Sequence, residues 1–317
     1  MPGTTIEFHP DLASARRIPN FTYGPISSRL MRSLKPRPAA PAPGVTVHEL
    51  VVPGPEGAPQ VSLRVFQPAN LTAPAPALFW VHGGGLVIGS PEQDDRTNIA
   101  FARELGITVV AVRYRLAPNN KAPAAVEDAY AGLLGLVAHA AELQVDVDRI
   151  AIGGASAGGG IAAALALLAH DRGEVTPAFQ LLVYPMLDDR TTHRTDIGAR
   201  DVRAWNPKSN RFGWRSYLGD AVGGADVSPY AAAARREDLT GLPPAWVGVG
   251  TLDLFHDEDL EYARRLNAAD VPCELFVVPG AFHGFDALYP KAPITATFWR
   301  EQAKALALAL DTPGRPA

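Results

Sequence analysis

The sequence has 317 residues, 47% of them apolar and 20% charged, with a formal net charge of −4. Those values suit a soluble globular chain, long enough for one α/β domain with insertions or for two small domains, and give no reason to expect a nucleic acid or other polyanion as partner. The longest apolar runs, residues 133–141 and 158–169, fall short of the roughly 18 residues a membrane span needs, and a single cysteine, Cys273, excludes an intrachain disulfide and a cysteine-built zinc site.

In chain order, Met1-Pro2-Gly3-Thr4 has no basic stretch leading into an apolar core. No secretory signal is expected, and the chain reads as cytoplasmic. Residues 1–44 differ in character from the rest of the chain. Arg16, Arg17, Arg29, Arg32, Lys35 and Arg37 are scattered among aromatics such as Phe21 and Tyr23. The basic residues read as a solvated face rather than a site for an anionic partner. The proline-rich stretch 35–43 suits an extended linker.

From Val45 onward strands and helices alternate. Residues 45–52 and 60–66 alternate apolar and polar, as half-buried strands at a sheet edge do. Residues 77–81, 107–112, 150–152, 179–184, 245–249 and 274–278 are short apolar runs, the pattern of strands buried on both faces of a parallel sheet. Helices are expected between them, among them 123–143, 156–169 and 257–268. The last carries Asp257, Glu258 and Asp259 at its start and Arg264 and Arg265 later, which complements the helix dipole. The alternation predicts an α/β fold with a mostly parallel, doubly wound sheet. Between Tyr184 and Ala245 the connection is about sixty residues, where roughly 2–6 is usual. It holds Trp205, Phe212, Trp214 and Tyr217, and is expected to form, with the N-terminal segment, a lid over one end of the sheet.

The chemistry centres on Gly154-Ala155-Ser156-Ala157-Gly158, directly after the strand at 150–152. Glycines on both sides of Ser156 let backbone segments approach, and a small-residue helix comes next. Such a turn lifts a hydroxyl above the sheet edge, where the helix N-terminus favours developing negative charge. No lysine follows, so a phosphate-binding loop is disfavoured. His82-Gly83-Gly84-Gly85 follows the strand at 77–81. Its amides, free of Cβ hindrance, can converge on the oxyanion of a tetrahedral intermediate.

A serine hydroxyl needs a base, and the base needs a carboxylate to orient it. Of the eight histidines, His283 is best placed, in the loop after the last predicted strand, with His256 as a rival beyond another strand end. Asp253 leaves the strand at 245–249 and is the preferred acid, with Asp188 and Asp189 as the competing assignment.

With these motifs in view, the sequence resembles the hormone-sensitive-lipase-like branch of the α/β-hydrolases, bacterial carboxylesterases with an HGGG motif. The likeness runs through VHGGGLVIGS (81–90), YRLAPNNKAPAAVED (114–128), GGASAGG (153–159), YPMLDD (184–189), GTLDLFHDE (250–258) and PGAFHGF (279–285). It implies an α/β-hydrolase fold with a catalytic domain of residues 45–189 and 245–317, and a cap from residues 1–44 and 190–244. It implies Ser156, Asp253 and His283 as the catalytic triad and the amides of Gly83, Gly84 and Ala157 as the oxyanion hole. Two departures bear on specificity and loop structure. Ala155 stands where many relatives carry an acidic residue, and Asn119 and Ala122-Pro123 replace their Glu and Phe-Pro. The expected activity is hydrolysis of short-to-medium acyl esters through an acyl-enzyme, without metal or other cofactor, and the resemblance suggests a homodimer. An amidase or deacetylase with the same triad is the alternative, followed by a non-catalytic binding member of the fold. A lipase acting on long-chain lipid at a membrane has no amphipathic anchor in the sequence to support it.

Overall fold

A computed structural model describes residues 7–19, 21–34, 37–40, 42–196 and 202–312. Met1–Thr4, where a secretory signal would begin, and Lys35, Pro36 and Pro41 of the proline-rich stretch lie outside them. Eight strands form one sheet: β1 (Val45–Val52), β2 (Val61–Pro68), β3 (Ala75–Val81), β4 (Thr108–Arg113), β5 (Val145–Ala155), β6 (Phe179–Val183), β7 (Ala245–Leu252) and β8 (Cys273–Phe282). Their order is β1-β2-β4-β3-β5-β6-β7-β8. β1 and β2 are antiparallel to their neighbours and every later pairing is parallel. β3 is buried along its whole length, as a strand covered by helices on both faces must be.

The helices are α1 (Pro25–Ser33), α2 (Asp95–Leu105), α3 (Ala124–Ala138), α4 (Ala157–Arg172), α5 (Pro207–Leu218), α6 (His256–Ala268), α7 (Phe285–Leu288) and α8 (Pro293–Ala309). Two apolar cores separate them. Leu133 and Leu136 of α3, Leu165 of α4 and Leu266 of α6 pack on one face of the sheet. Phe101 of α2 and Phe298 and Leu306 of α8 pack on the other. Each such side chain, withdrawn from water, contributes about 1.5–3 kcal/mol. α4 lies closest to the sheet: a Cβ on Gly158 would come within 2.0 Å of the Val81 carbonyl oxygen. Among the described residues no helix is long and apolar enough to cross a membrane.

Most boundaries move by a few residues from the sequence reading, and three of the differences have a physical reason in side-chain or backbone pairing. β5 begins at Val145, because Val145 pairs with Ala75 beyond the short apolar run. α3 stops at Ala138, where the His139 ring turns back to the Gly135 carbonyl and residues 139–143 close in turns. The expected helix at 257–268 starts one residue earlier and turns two of its three acidic residues inward. Asp259 is buried, and Glu258 accepts from the amides of Leu187 and Asp188. Burial pushes the Glu258 carboxyl well above the ordinary range, so this residue serves as an interior brace for the chain after β6 more than as a complement to the helix dipole.

Candidate active site

Every element of the site sits at the C-terminal edge of the sheet. β5 ends at Ala155, and Ser156 turns the chain into α4 with φ 58° and ψ −122°. A non-glycine residue in that region is strained, and the surroundings fix it. The Ser156 amide donates to Val183 O at 2.9 Å, and its carbonyl accepts from Gly160 and Met186. The hydroxyl is thereby presented at the start of α4, where Ala157 is the first helical residue. Its N–H has no intrahelical acceptor and is available to an anion.

His283 Nε2 lies 2.8 Å from Ser156 Oγ. On the other side of the ring, Nδ1 lies 2.9 Å from Asp253 Oδ2 and 3.1 Å from Oδ1. A carboxylate can only accept, which puts the proton on Nδ1 and leaves Nε2 free to receive the serine proton. Asp253 is itself held by the Phe255 amide, which donates to Oδ1 at 2.9 Å. The imidazole is gripped between two ring contacts, Tyr184 at 4.8 Å and Phe255 at 5.1 Å. All three polar residues are buried, so their interactions are little screened by water.

Gly83 comes beside Ser156: a Cβ there would meet Ala155 O at 2.9 Å and the serine Cβ at 3.4 Å. At Gly84 the backbone takes φ +121°, and a Cβ would lie 2.0 Å from Ile88 O. The His82 ring holds this loop. Its Nδ1 is 2.8 Å from Gly83 O, its plane stacks on Tyr114 at 4.2 Å, and Tyr114 donates its hydroxyl to His82 O. The Gly83 carbonyl and Gly84 N–H belong to one planar trans peptide and point in opposite directions. Fixing the carbonyl on His82 therefore fixes the direction of the Gly84 donor. Desolvation lowers the His82 pKa to about 4, so the ring that holds the loop is neutral at ordinary pH.

The rival candidates lie elsewhere. His256 opens α6 with Nδ1 2.8 Å from Asp257 Oδ1. Asp188 pairs with Arg190 and buried Asp189 with Arg235. Two contributors are not singled out by sequence reasoning. Tyr184, just past β6, has φ 35°, and its hydroxyl donates to Asp286 at 2.8 Å while its ring meets His283. Its signal is its place as the first residue of the YPMLDD motif, straight off a strand. Phe255 gives no signal beyond standing two residues after Asp253.

Above this floor lie two segments distant in sequence. Residues 10–17 form a 3-10 helix and α1 comes after it. α5 is capped by Asn206, whose Oδ1 accepts from Lys208 and Ser209 amides. The Asn206 side chain also donates to Phe21 O, and the Tyr23 amide donates to Ser209 Oγ. Trp205 is wedged over the glycine loop, since a Cβ on Gly85 would strike its ring at 2.0 Å, and Tyr23 packs on it at 5.6 Å. Residues 197–201 of the long connection lie outside the described part.

Comparison with known proteins agrees with this geometry. A family model described as the alpha/beta hydrolase fold matches residues 78–287. Carboxylesterase NlhH of Mycobacterium tuberculosis is 35% identical over 260 residues, 80% of this chain and 80% of that one. Esterase LipI of the same organism is 35% identical over 262 residues, 80% and 79% of the two chains. Among solved structures, a bacterial heroin esterase matches with a TM-score of 0.87 at 39% identity, covering 97% of this chain and 99% of the other. Esterase LipW from Mycobacterium marinum matches with a TM-score of 0.77 at 35% identity, covering 96% and 92%.

Proposed function

This chain belongs to the α/β-hydrolase family, and from that membership we propose a serine carboxylesterase that takes short-to-medium acyl esters through an acyl-enzyme. It is a carboxylic ester hydrolase, as its relatives' names state of them. The assignment of roles is our own. His283 removes the Ser156 proton as Oγ attacks the ester carbonyl. The carbonyl electrons move onto oxygen, which the amides of Gly83, Gly84 and Ala157 receive. Collapse breaks the bond to the alcohol, which leaves with the proton from His283. Water then attacks the acyl-enzyme by the same route and releases the acid, and Asp253 stabilises the imidazolium in both halves. Residues 1–44 and 190–244 act as the cap, with Trp205 above the glycine loop limiting the acyl group.

The observation that supports this reading most is the 2.8 Å contact of Ser156 Oγ with His283 Nε2, backed by Asp253. The test pairs a fluorophosphonate probe with a panel of esters of graded acyl length. Wild type is expected to label and to turn over short acyl groups fastest. Ser156→Ala is expected to do neither, and labelling of that variant, or a rate maximum at long chains, would overturn the reading. A cytoplasmic location and a homodimer complete the proposal. The first is supported by the single cysteine. The second is supported by β8, an edge strand carrying exposed Leu275, and light scattering on the eluting protein measures it.

A further inference from the structure

The helix α1 is built inside out. It directs Ser28 into the protein, where that residue is 1% exposed and its hydroxyl bonds to Gly24 O. Two of its large apolar residues face away, Ile26 at 87% exposed and Leu30 at 60%, and Leu34 just past its end continues the stripe at 57%. At 100° per residue Ile26 and Leu30 lie nearly opposite Ser28, so the orientation is not a matter of fraying at one end. Phe21, just before the helix, is exposed as well. Elsewhere among the described residues, exposed large hydrophobics are scattered singly along the chain, at Val51, Val147, Leu275, Leu288 and Leu308. A contiguous outward patch of this kind marks an interaction surface.

The charge around the patch selects the partner. Residues 1–44 hold six basic side chains and two acidic ones in a chain whose net charge is −4. Arg29 stands beside Leu30 on α1, and Arg16 and Arg17 end the preceding 3-10 helix. All three are exposed, and among the described residues none is paired with a carboxylate. Arg32, in contrast, is used as a tether to Ala117 O at 3.0 Å. A two-fold contact between copies through this helix would gather the Arg29 side chains of both copies into one interface, which like-charge repulsion disfavours. An apolar stripe with Arg29 on the same helix, and Arg16 and Arg17 exposed on the preceding one, fits a lipid surface bearing anionic headgroups, in place of the solvated face expected from the sequence.

We propose that the outward face of α1, with Arg16, Arg17 and Arg29, docks the protein on an anionic lipid surface. The helix starts two residues after Tyr23, whose ring rests on Trp205 over the glycine loop. Docking by this face therefore holds the segment that packs on Trp205 close to the lipid. The inference goes beyond ester hydrolysis and does not depend on it.

The test is co-sedimentation of the full chain with vesicles of phosphatidylcholine alone or mixed with phosphatidylglycerol, read as the bound fraction. Binding to the mixed vesicles, weakening as salt rises, is expected. The double variant I26E/L30E is expected to bind about tenfold or more weakly. R16Q/R17Q/R29Q is expected to lose the preference for phosphatidylglycerol, by roughly fivefold for each charge removed. A melting temperature and far-ultraviolet circular dichroism unchanged from wild type show that both variants are folded. Equal sedimentation of wild type and I26E/L30E, or no binding to the mixed vesicles, overturns the proposal. So does a concentration-dependent dimer, measured without lipid, that I26E/L30E abolishes, since a second copy would then cover the face.

Discussion

The floor of the site and the structure above it are built on opposite principles. The floor is a set of strand ends whose side chains are buried, each held by neighbours a few residues away or on the next strand. Asp253 is fixed by the Phe255 amide, Ser156 by Val183 O, and the Gly83 carbonyl by His82. The segments above are joined by bonds between residues far apart in the chain, such as Tyr23 to Ser209, Asn206 to Phe21 O and Arg32 to Ala117, and one of their helices presents its apolar side to water. Rigidity below serves a reaction that needs atoms placed within tenths of an ångström. Attachment above by residues remote from Ser156, Asp253 and His283 leaves the proposed cap open to alteration without disturbing the chemistry.

Substitutions can break that contrast, and the largest effects belong to the floor. Ser156→Ala is expected to lower kcat by about 10⁴–10⁶ with an unchanged melting temperature, read by steady-state kinetics and calorimetry. Asp253→Asn leaves a neutral side chain that no longer favours the required tautomer, and a fall of about 10⁴ in kcat is expected. Gly84→Ala must move a loop whose backbone stands at φ +121° with Ile88 O in the way. It should cost about 10²–10³ in kcat with little change in KM.

His82 gives a stability test of the same region. Its pKa is about 4 in the folded chain against an ordinary value of 6.5. The unfolded chain therefore binds the extra proton first, and the stabilisation present above pH 6.5 is lost as pH falls toward 4. The loss amounts to about 3 kcal/mol, and urea midpoints measured between pH 7.5 and 4.5 should show it in wild type but not in His82→Asn. The smallest effect belongs above the floor. Trp205→Ala opens space over Gly85 and is expected to raise KM about tenfold while kcat stays within about threefold. A fall in kcat as large as that of Gly84→Ala would show that the two regions are not separable.

What can be seen in the sequence divides along the same line. Strands such as β3 announce themselves because burial on both faces leaves only apolar residues, and Ser156 and Asp253 stand just past such strands. His283 follows β8, whose residues 274–278 read as buried on both faces but form a half-exposed edge strand. Backbone requirements also leave marks, as glycine does at Gly84 and Gly158. α1 cannot be read in the same way. Its apolar residues carry the ordinary helical spacing, and spacing alone does not say whether that face points to the core or to water. Which way it turns depends on Ser28, Arg32 and Tyr23 meeting partners at Gly24, Ala117 and Ser209, the last two about eighty-five and nearly two hundred residues away. Glu258 escapes a local reading for a related reason. Its place in the first turn of a helix predicts exposure, but its partners belong to the loop after β6, where no local pattern points.

The earliest part of the chain is joined to its latest part. The His9 amide donates to Gly280 O, Asp11 accepts from the Ile294 amide, and Ser14 donates to the Tyr289 hydroxyl. During synthesis at roughly 5–20 residues per second, the segment around residues 9–14 must wait for β8 and α8 before it makes these bonds. Ser156 emerges well ahead of the histidine it is to bond, and Gly280, which anchors the first segment, comes only three residues before that residue, His283. In the proposed mechanism Ser156 therefore has no base on the nascent chain, and His283 and the first attachment of the N-terminal segment arrive together.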